Sequence, residues 1–283
     1  MKKFFLSLFG IGICLLALQV QALTIDFSHQ VPTDGSGKTS AYGVSADNVA
    51  LSGYFIETFD QPGTTARTVQ AIGGSIKIAA GAGFNTLDPE KLIVTGGGMG
   101  ITSGSTPNVA AAPAGDTTHY AFGPGHGTNT SNATVKIENT AFTAYQPGLF
   151  IQYLGFYIGS VDTYNSIAFY SGDGLLKTES GFLIDGILSG SEILAAMHGI
   201  SGNQLDDRSN VYVNLFFDND ELFTAFEFRT TGIAFEVDNV VTRVGLDQVP
   251  YQSPAPVPEP STFLLLGGGL VALGFISRRY REA

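Results

Sequence analysis

From about residue 23 to residue 250 the apolar residues recur in short runs with the two-residue period of strands, not the longer period of helices. The runs 53–59, 90–94, 149–158, 166–170, 211–217 and 223–228 are rich in aromatic and β-branched side chains, which suit a pleated surface. Turn formers separate them: Gln61-Pro62-Gly63, Leu87-Asp88-Pro89, Ser171-Gly172-Asp173-Gly174 and Asp218-Asn219-Asp220. Val211, Val213, Leu215 and Phe217 alternate with Tyr212, Asn214 and Phe216, which predicts a strand with one drier face. Regular short strands without alternating helices predict an all-β, antiparallel sandwich or barrel. One short helix is predicted, with Ser191 as cap, 192–198 as body and Gly199 as stop, covering one end of the sandwich. Residues 96–132 are rich in Gly, Ser, Thr and Ala, and they read as long surface loops. No repeat of fixed period is present.

The two ends break this pattern. Lys2 and Lys3 precede an apolar stretch at 4–18, and Val20-Gln21-Ala22 places small residues where a signal peptidase reads. The stretch is short for a membrane span, which needs about 20 residues. The reading is a cleaved leader, 1–22, cut between Ala22 and Leu23. At the other end, proline at every second position of 253–260 removes donors and fixes φ, so 251–260 reads as an extended linker. Residues 263–276 are apolar and glycine without interruption, and Arg278, Arg279 and Arg281 follow. As a helix, 261–277 would span roughly 25 Å at ~1.5 Å per residue, slightly thin for a hydrocarbon core of ~30 Å. The arginines predict a cytoplasmic tail, 278–283, with the 23–250 domain outside.

Charge and cysteine narrow the partners. Five basic residues, Lys2, Lys3, Arg278, Arg279 and Arg281, lie in the terminal segments, so the exported part is more acidic than the net −11 of the whole chain. That disfavours nucleic acid and anionic membrane surfaces, and it suits cations, neutral glycans or plain solubility. Cys14, the single cysteine, lies in the leader, so the mature chain forms no disulfide.

Val257-Pro258-Glu259-Pro260, the apolar 263–276 and the arginines Arg278, Arg279 and Arg281, in that order, resemble the PEP-CTERM sorting signal. The resemblance implies processing by an exosortase, an inner-membrane cysteine protease of Gram-negative bacteria that make exopolysaccharide. Pro258, Glu259 and Pro260 would mark its recognition site, and the single transmembrane sorting helix and basic tail would present it. A permanent anchor is the ordinary alternative. Residues 159–170, 202–204, 212–217 and 234–239, with 112–120 as a weaker match, resemble a group of exosortase-dependent surface proteins. Over 110–243 that resemblance implies a lectin-like or jelly-roll β-sandwich, and it carries no activity.

The search for chemistry is mostly negative. Gly43-Val-Ser-Ala-Asp47, Gly73-Gly-Ser-Ile-Lys77 and Gly199-Ile-Ser-Gly-Asn203 all lack the last glycine of a nucleophile elbow. Gly98 and Gly100 are followed by Ser103 where a dinucleotide fingerprint needs glycine or alanine. His29, His119, His126 and His198 show no zinc-ligand spacing. No cofactor is expected. Asp218, Asp220 and Glu221, with Asp206 and Asp207 upstream, are oxygen-rich enough for calcium, though a solvated hairpin turn is the more ordinary explanation. Tyr157, Asp162, Tyr164 and Asn165 combine an aromatic face with hydroxyl-binding side chains, as a glycan site does. The same residues also suit a turn and a packed strand. The reading is a non-catalytic structural or adhesive protein of the cell surface or biofilm matrix. Its partners are signal peptidase and exosortase during export, the inner membrane transiently, and exopolysaccharide. The alternatives are a carbohydrate-binding module and a glycan-active hydrolase, whose paired carboxylates only geometry can identify.

Overall fold

The computed structural model describes residues 23–125, 133–138, 149–172, 174–177, 183, 185–217 and 221–246. The predicted leader, linker, transmembrane helix and basic tail lie outside these residues, as do Asp218 and Asp220. Among the described residues no helix is long and apolar enough to cross a membrane.

In chain order, Thr24–Asp26 (β1), His29–Gln30 (β2), Thr39–Ser40 (β3) and Tyr54–Glu57 (β4) come first. Arg67–Ala71 (β5) and Gly74–Ile78 (β6) follow, and a 3-10 turn at Pro89–Lys91 leads towards Ile93–Thr95 (β7). Met99–Ser103 (β8), His119–Gly123 (β9), Ala133–Glu138 (β10) and Leu149–Gly159 (β11) are next. Asn165–Ser171 (β12), Gly174–Leu175 (β13) and Ile187–Ser189 (β14) precede the helix Gly190–Met197 (α1). Val211–Phe216 (β15), Ala225–Thr230 (β16) and Phe235–Leu246 (β17) complete the described elements.

The strands form two main sheets. The larger runs β1-β15-β11-β17-β9-β8-β6-β5, with β4 also on β17. The smaller runs β13-β12-β16-β10-β7, with β14 on β12, while β2 and β3 pair apart. The named strand pairs are antiparallel except β6 with β8, which departs from the all-antiparallel expectation. The sheets face each other across one apolar core. Leu154, Phe156 and Ile158 of β11 meet Ile167 and Phe169 of β12 and Phe226 and Phe228 of β16 there. Phe156 and Phe228 touch edge to face across the sheets, with ring centroids 5.3 Å apart. The sandwich expectation therefore holds.

Four local expectations need correction. Residues 96–132 are not all loop, because β8 and β9 sit inside the larger sheet with Met99, Ile101, Tyr120 and Ala121 buried. Their glycines are there for close approach: a Cβ on Gly100 would collide with the Phe122 ring, and one on Gly123 with the Phe235 ring. The helix starts earlier than expected. Ser189 is its cap, its hydroxyl receiving the Glu192 N–H while the Glu192 carboxylate takes the Ser189 N–H, and His198 in the left-handed conformation ends it. Strand 90–94 shifts to β7 because Asp88 caps a 3-10 turn led by Pro89.

The fourth correction concerns the drier face of β15, since both of its faces are buried. Val211, Val213 and Leu215 enter the core, and Tyr212 and Phe216 pack outside with Tyr153, Tyr157 and Val241 under Tyr42, Val44 and Tyr54. Residues 29–48 thus lay a further layer over the larger sheet. Asn214 is tolerated there because its amide donates to the Asp26 and Ser28 carbonyls (3.1 and 2.8 Å) and accepts from the Tyr153 hydroxyl (2.6 Å).

Candidate binding cleft

Four segments meet and line a cleft of about 610 Å³: residues 105–111, the turn after β11 with Ser160, Asp162 and Tyr164, residues Gly202 and Gln204, and Ile233, Ala234 and Glu236 where the chain enters β17. That volume lies within the range of about 300–1,000 Å³ typical of small-molecule sites. The turn is pinned by backbone. Ser160 N–H donates to Asn210 Oδ1 at 3.0 Å, Val161 N–H to the Ser209 carbonyl at 2.7 Å, and Asn165 N–H to the Asp162 carbonyl at 3.0 Å. Opposite, Thr106 and Ala110 exchange backbone hydrogen bonds, so the intervening loop is compact and Asn108 is exposed at its tip.

Asp162 is oriented by its neighbours. The Ser201 hydroxyl donates to its Oδ1 at 3.1 Å. Gly202, with φ of 70°, comes so close that a Cβ would stand 2.7 Å from the same oxygen. The Tyr164 hydroxyl donates to the Ile233 carbonyl at 2.7 Å, and burial followed by the adjacent Asp162 pushes its pKa up. Glu236 is 2% exposed. Its Oε1 accepts the Ala111 N–H at 2.9 Å and its Oε2 the Ser160 hydroxyl at 3.3 Å. Burial raises its pKa to about 8 against the pull of those two donors, so it holds a proton at neutral pH.

The structure divides the four predicted glycan-binding residues. Asp162 and Tyr164 line the cleft. Asn165 is 3% exposed and its amide turns to the Ala234 carbonyl at 3.5 Å, beneath the cleft. Tyr157 is fully buried in the outer aromatic cluster, its hydroxyl donating to the Ala114 carbonyl. The period of a strand sends Tyr157 to the other face of β11 from the core residues flanking it. Of the predicted calcium ligands, Asp218 and Asp220 lie outside the described residues. Glu221 is buried and accepts the Leu23 N–H at 3.3 Å. Asp206 pairs with Arg208 at 2.9 Å and Asp207 with Lys38 at 3.0 Å. Among the described residues, no three His, Cys, Asp or Glu side chains form a metal-binding group.

Beyond the domain, residues 256–279 match the family model of the PEP-CTERM protein-sorting motif. The chain carries that motif. It is accordingly an exosortase-targeted secreted surface protein, processed during export with transient membrane anchoring toward the cell surface. The PEP-CTERM match includes Val257, Pro258, Glu259, Pro260, Arg278 and Arg279, while Arg281 lies just past it. No curated protein matches the chain. The all-β body is consistent with a PEP-CTERM surface protein.

Glu236, Ser160, Gln204 and Asn108 were not among the predicted site residues. One signal bore on Ser160, Gln204 and Glu236: they fall in 159–170, 202–204 and 234–239, three of the segments whose resemblance to surface proteins the sequence suggested, while Asn108 carried no such signal.

Proposed function

We propose that the exported domain is a non-catalytic, adhesive component of the extracellular polysaccharide matrix, and that it grips a neutral saccharide in this cleft. The observation that carries the reading is the convergence of Tyr164, Asp162, Asn108 and Gln204 on one cavity. An aromatic ring meets the C–H surface of a sugar, and carboxylate and amide groups meet its hydroxyls. The acidity of the chain favours an uncharged saccharide over an anionic one.

One observation favours a second reading, glycoside hydrolysis. A protonated Glu236 beside an Asp162 carboxylate resembles a general acid with its partner. Against it, Glu236 is almost wholly buried, with both oxygens engaged by Ala111 and Ser160.

The test is retention of the purified protein on neutral exopolysaccharides, with analysis of released sugars. Retention without product, reduced in Asn108→Ala with Gln204→Ala, is expected. Product release lost in Glu236→Gln would establish the hydrolase, and absence of both retention and product on every polysaccharide would overturn both readings.

A further inference from the structure

The outer layer holds a second polar cluster, centred on Ser36. Ser36 bridges to Asp116 through the backbone. Its carbonyl and Oγ accept from Asn239 Nδ2 at 3.0 and 2.9 Å, and Oγ also accepts from Asn48 Nδ2 at 3.1 Å. The same Asn48 nitrogen reaches Asp34 Oδ2 and Asn239 Oδ1 at 2.9 and 2.8 Å. Asp238, next to Asn239, stands opposite Tyr157 in the register of β17 on β11. Ser36, Asp238 and Asn239 are 0% exposed, Asn48 6% and Asp116 8%.

This cluster lacks donors. Both oxygens of Asp238, Oδ2 of Asp116 and Oδ1 of Asn48 have no hydrogen-bond partner. The Asn239 N–H favours the charged form of Asp238 electrostatically but does not reach hydrogen-bond geometry. The other Asp116 oxygen is taken by the N–H and hydroxyl of Thr118, at 2.8 and 2.9 Å. Lys38 lies in the same layer, yet its ammonium is turned to Asp207 at 3.0 Å and the Asn210 carbonyl at 2.7 Å. Burial and then the Asp116 charge push the Asp238 pKa well up, and burial pushes Asp116 to about 6.

All four unsatisfied atoms are oxygen acceptors. Buried carboxylates left this way are costly, and an ion is one of the few things that explains them. A hard divalent cation gathers carboxylate, amide and backbone oxygens, and two carboxylates match its charge. The geometry points to a calcium-class cation held beneath residues 34–48 by Asp116, Asp238 and Asn48. Such a set does not depend on a third acidic or imidazole group, because its third ligand is an amide. The ion ties three chain segments together: the outer layer, the loop before β9, and β17. Its ligands are not those predicted from the sequence at Asp218, Asp220 and Glu221.

The full-length chain, stripped with EDTA, is titrated with calcium chloride by calorimetry and thermal melting, with magnesium chloride as control. One calcium per chain and a melting temperature raised by several degrees are expected. Both should vanish in Asp116→Asn with Asp238→Asn, at an unchanged β-type circular dichroism spectrum, and survive in Asp218→Asn with Asp220→Asn. The site is overturned if the wild type takes up no calcium, or if uptake is lost in the second pair and kept in the first. Should the first pair fail to fold, Asn48→Ala decides: several-fold weaker calcium binding upholds the site, and unchanged affinity overturns it.

Discussion

Glu236 and Asp238 are two residues apart on β17, and alternation with the core residues Phe235 and Val237 turns both away from the sheet interface. Both are buried and both have raised pKa values. Around Glu236 the fold supplies an N–H and a hydroxyl. Around Asp238 it supplies no hydrogen bond at all. A carboxyl whose donors come from its own chain is scaffold, and here it holds the 105–111 wall against the Ser160 turn. A carboxyl left without donors invites a partner from outside, which is why we place the proposed cation at Asp238 and the proposed saccharide beside Glu236.

That contrast can be broken by mutation. The largest effect is expected for Glu236→Ala, which strands the buried Ala111 N–H and should cost about 3 kcal/mol in a denaturant melt; a loss near zero would remove its scaffold role. A smaller loss, about 2 kcal/mol, is expected for Glu221→Gln in protein cut after Ala22. There the Leu23 nitrogen is an ammonium against the Glu221 carboxylate, and a chain extended at its N-terminus should feel the change less. Asp238→Asn should behave oppositely to Glu236→Ala. Without calcium it should change stability by no more than about 1 kcal/mol, because burial already holds the carboxyl towards its uncharged form. With calcium it should forfeit the shift in melting temperature. The smallest effect on stability is expected for Gln204→Ala, which is exposed and should leave the melt within about 0.5 kcal/mol while weakening retention on polysaccharide.

Much of the fold was legible from periodicity. The runs that became β11, β12 and β15 alternate cleanly, and their inward residues are the core. The Ser-x-x-Glu signature of α1 was present at Ser189 and Glu192, but Ser191 obscured it. β8 and β9 were hidden because their glycines, which make room for Phe122 and Phe235, look like loop composition. The cleft was half legible: Asp162 and Tyr164 lie in it, while Tyr157 was assigned by proximity in sequence although the pleat sends it elsewhere.

The PEP-CTERM address needed no tertiary structure, because the motif is one contiguous stretch of chain, residues 256–279. The apolar alternation of the strands was likewise local, since side-chain direction along a strand follows from backbone geometry alone. Which carboxylates matter was decided only by folding. Residue 116 lies in a loop, 162 in a turn and 236 and 238 in the last described strand; only sheet order brings the first to the fourth and the second to the third. Two buried donors then separate the scaffold carboxyl from the proposed site, and a donor contributed by a residue more than a hundred positions away, as Ala111 is to Glu236, leaves no local pattern in the sequence.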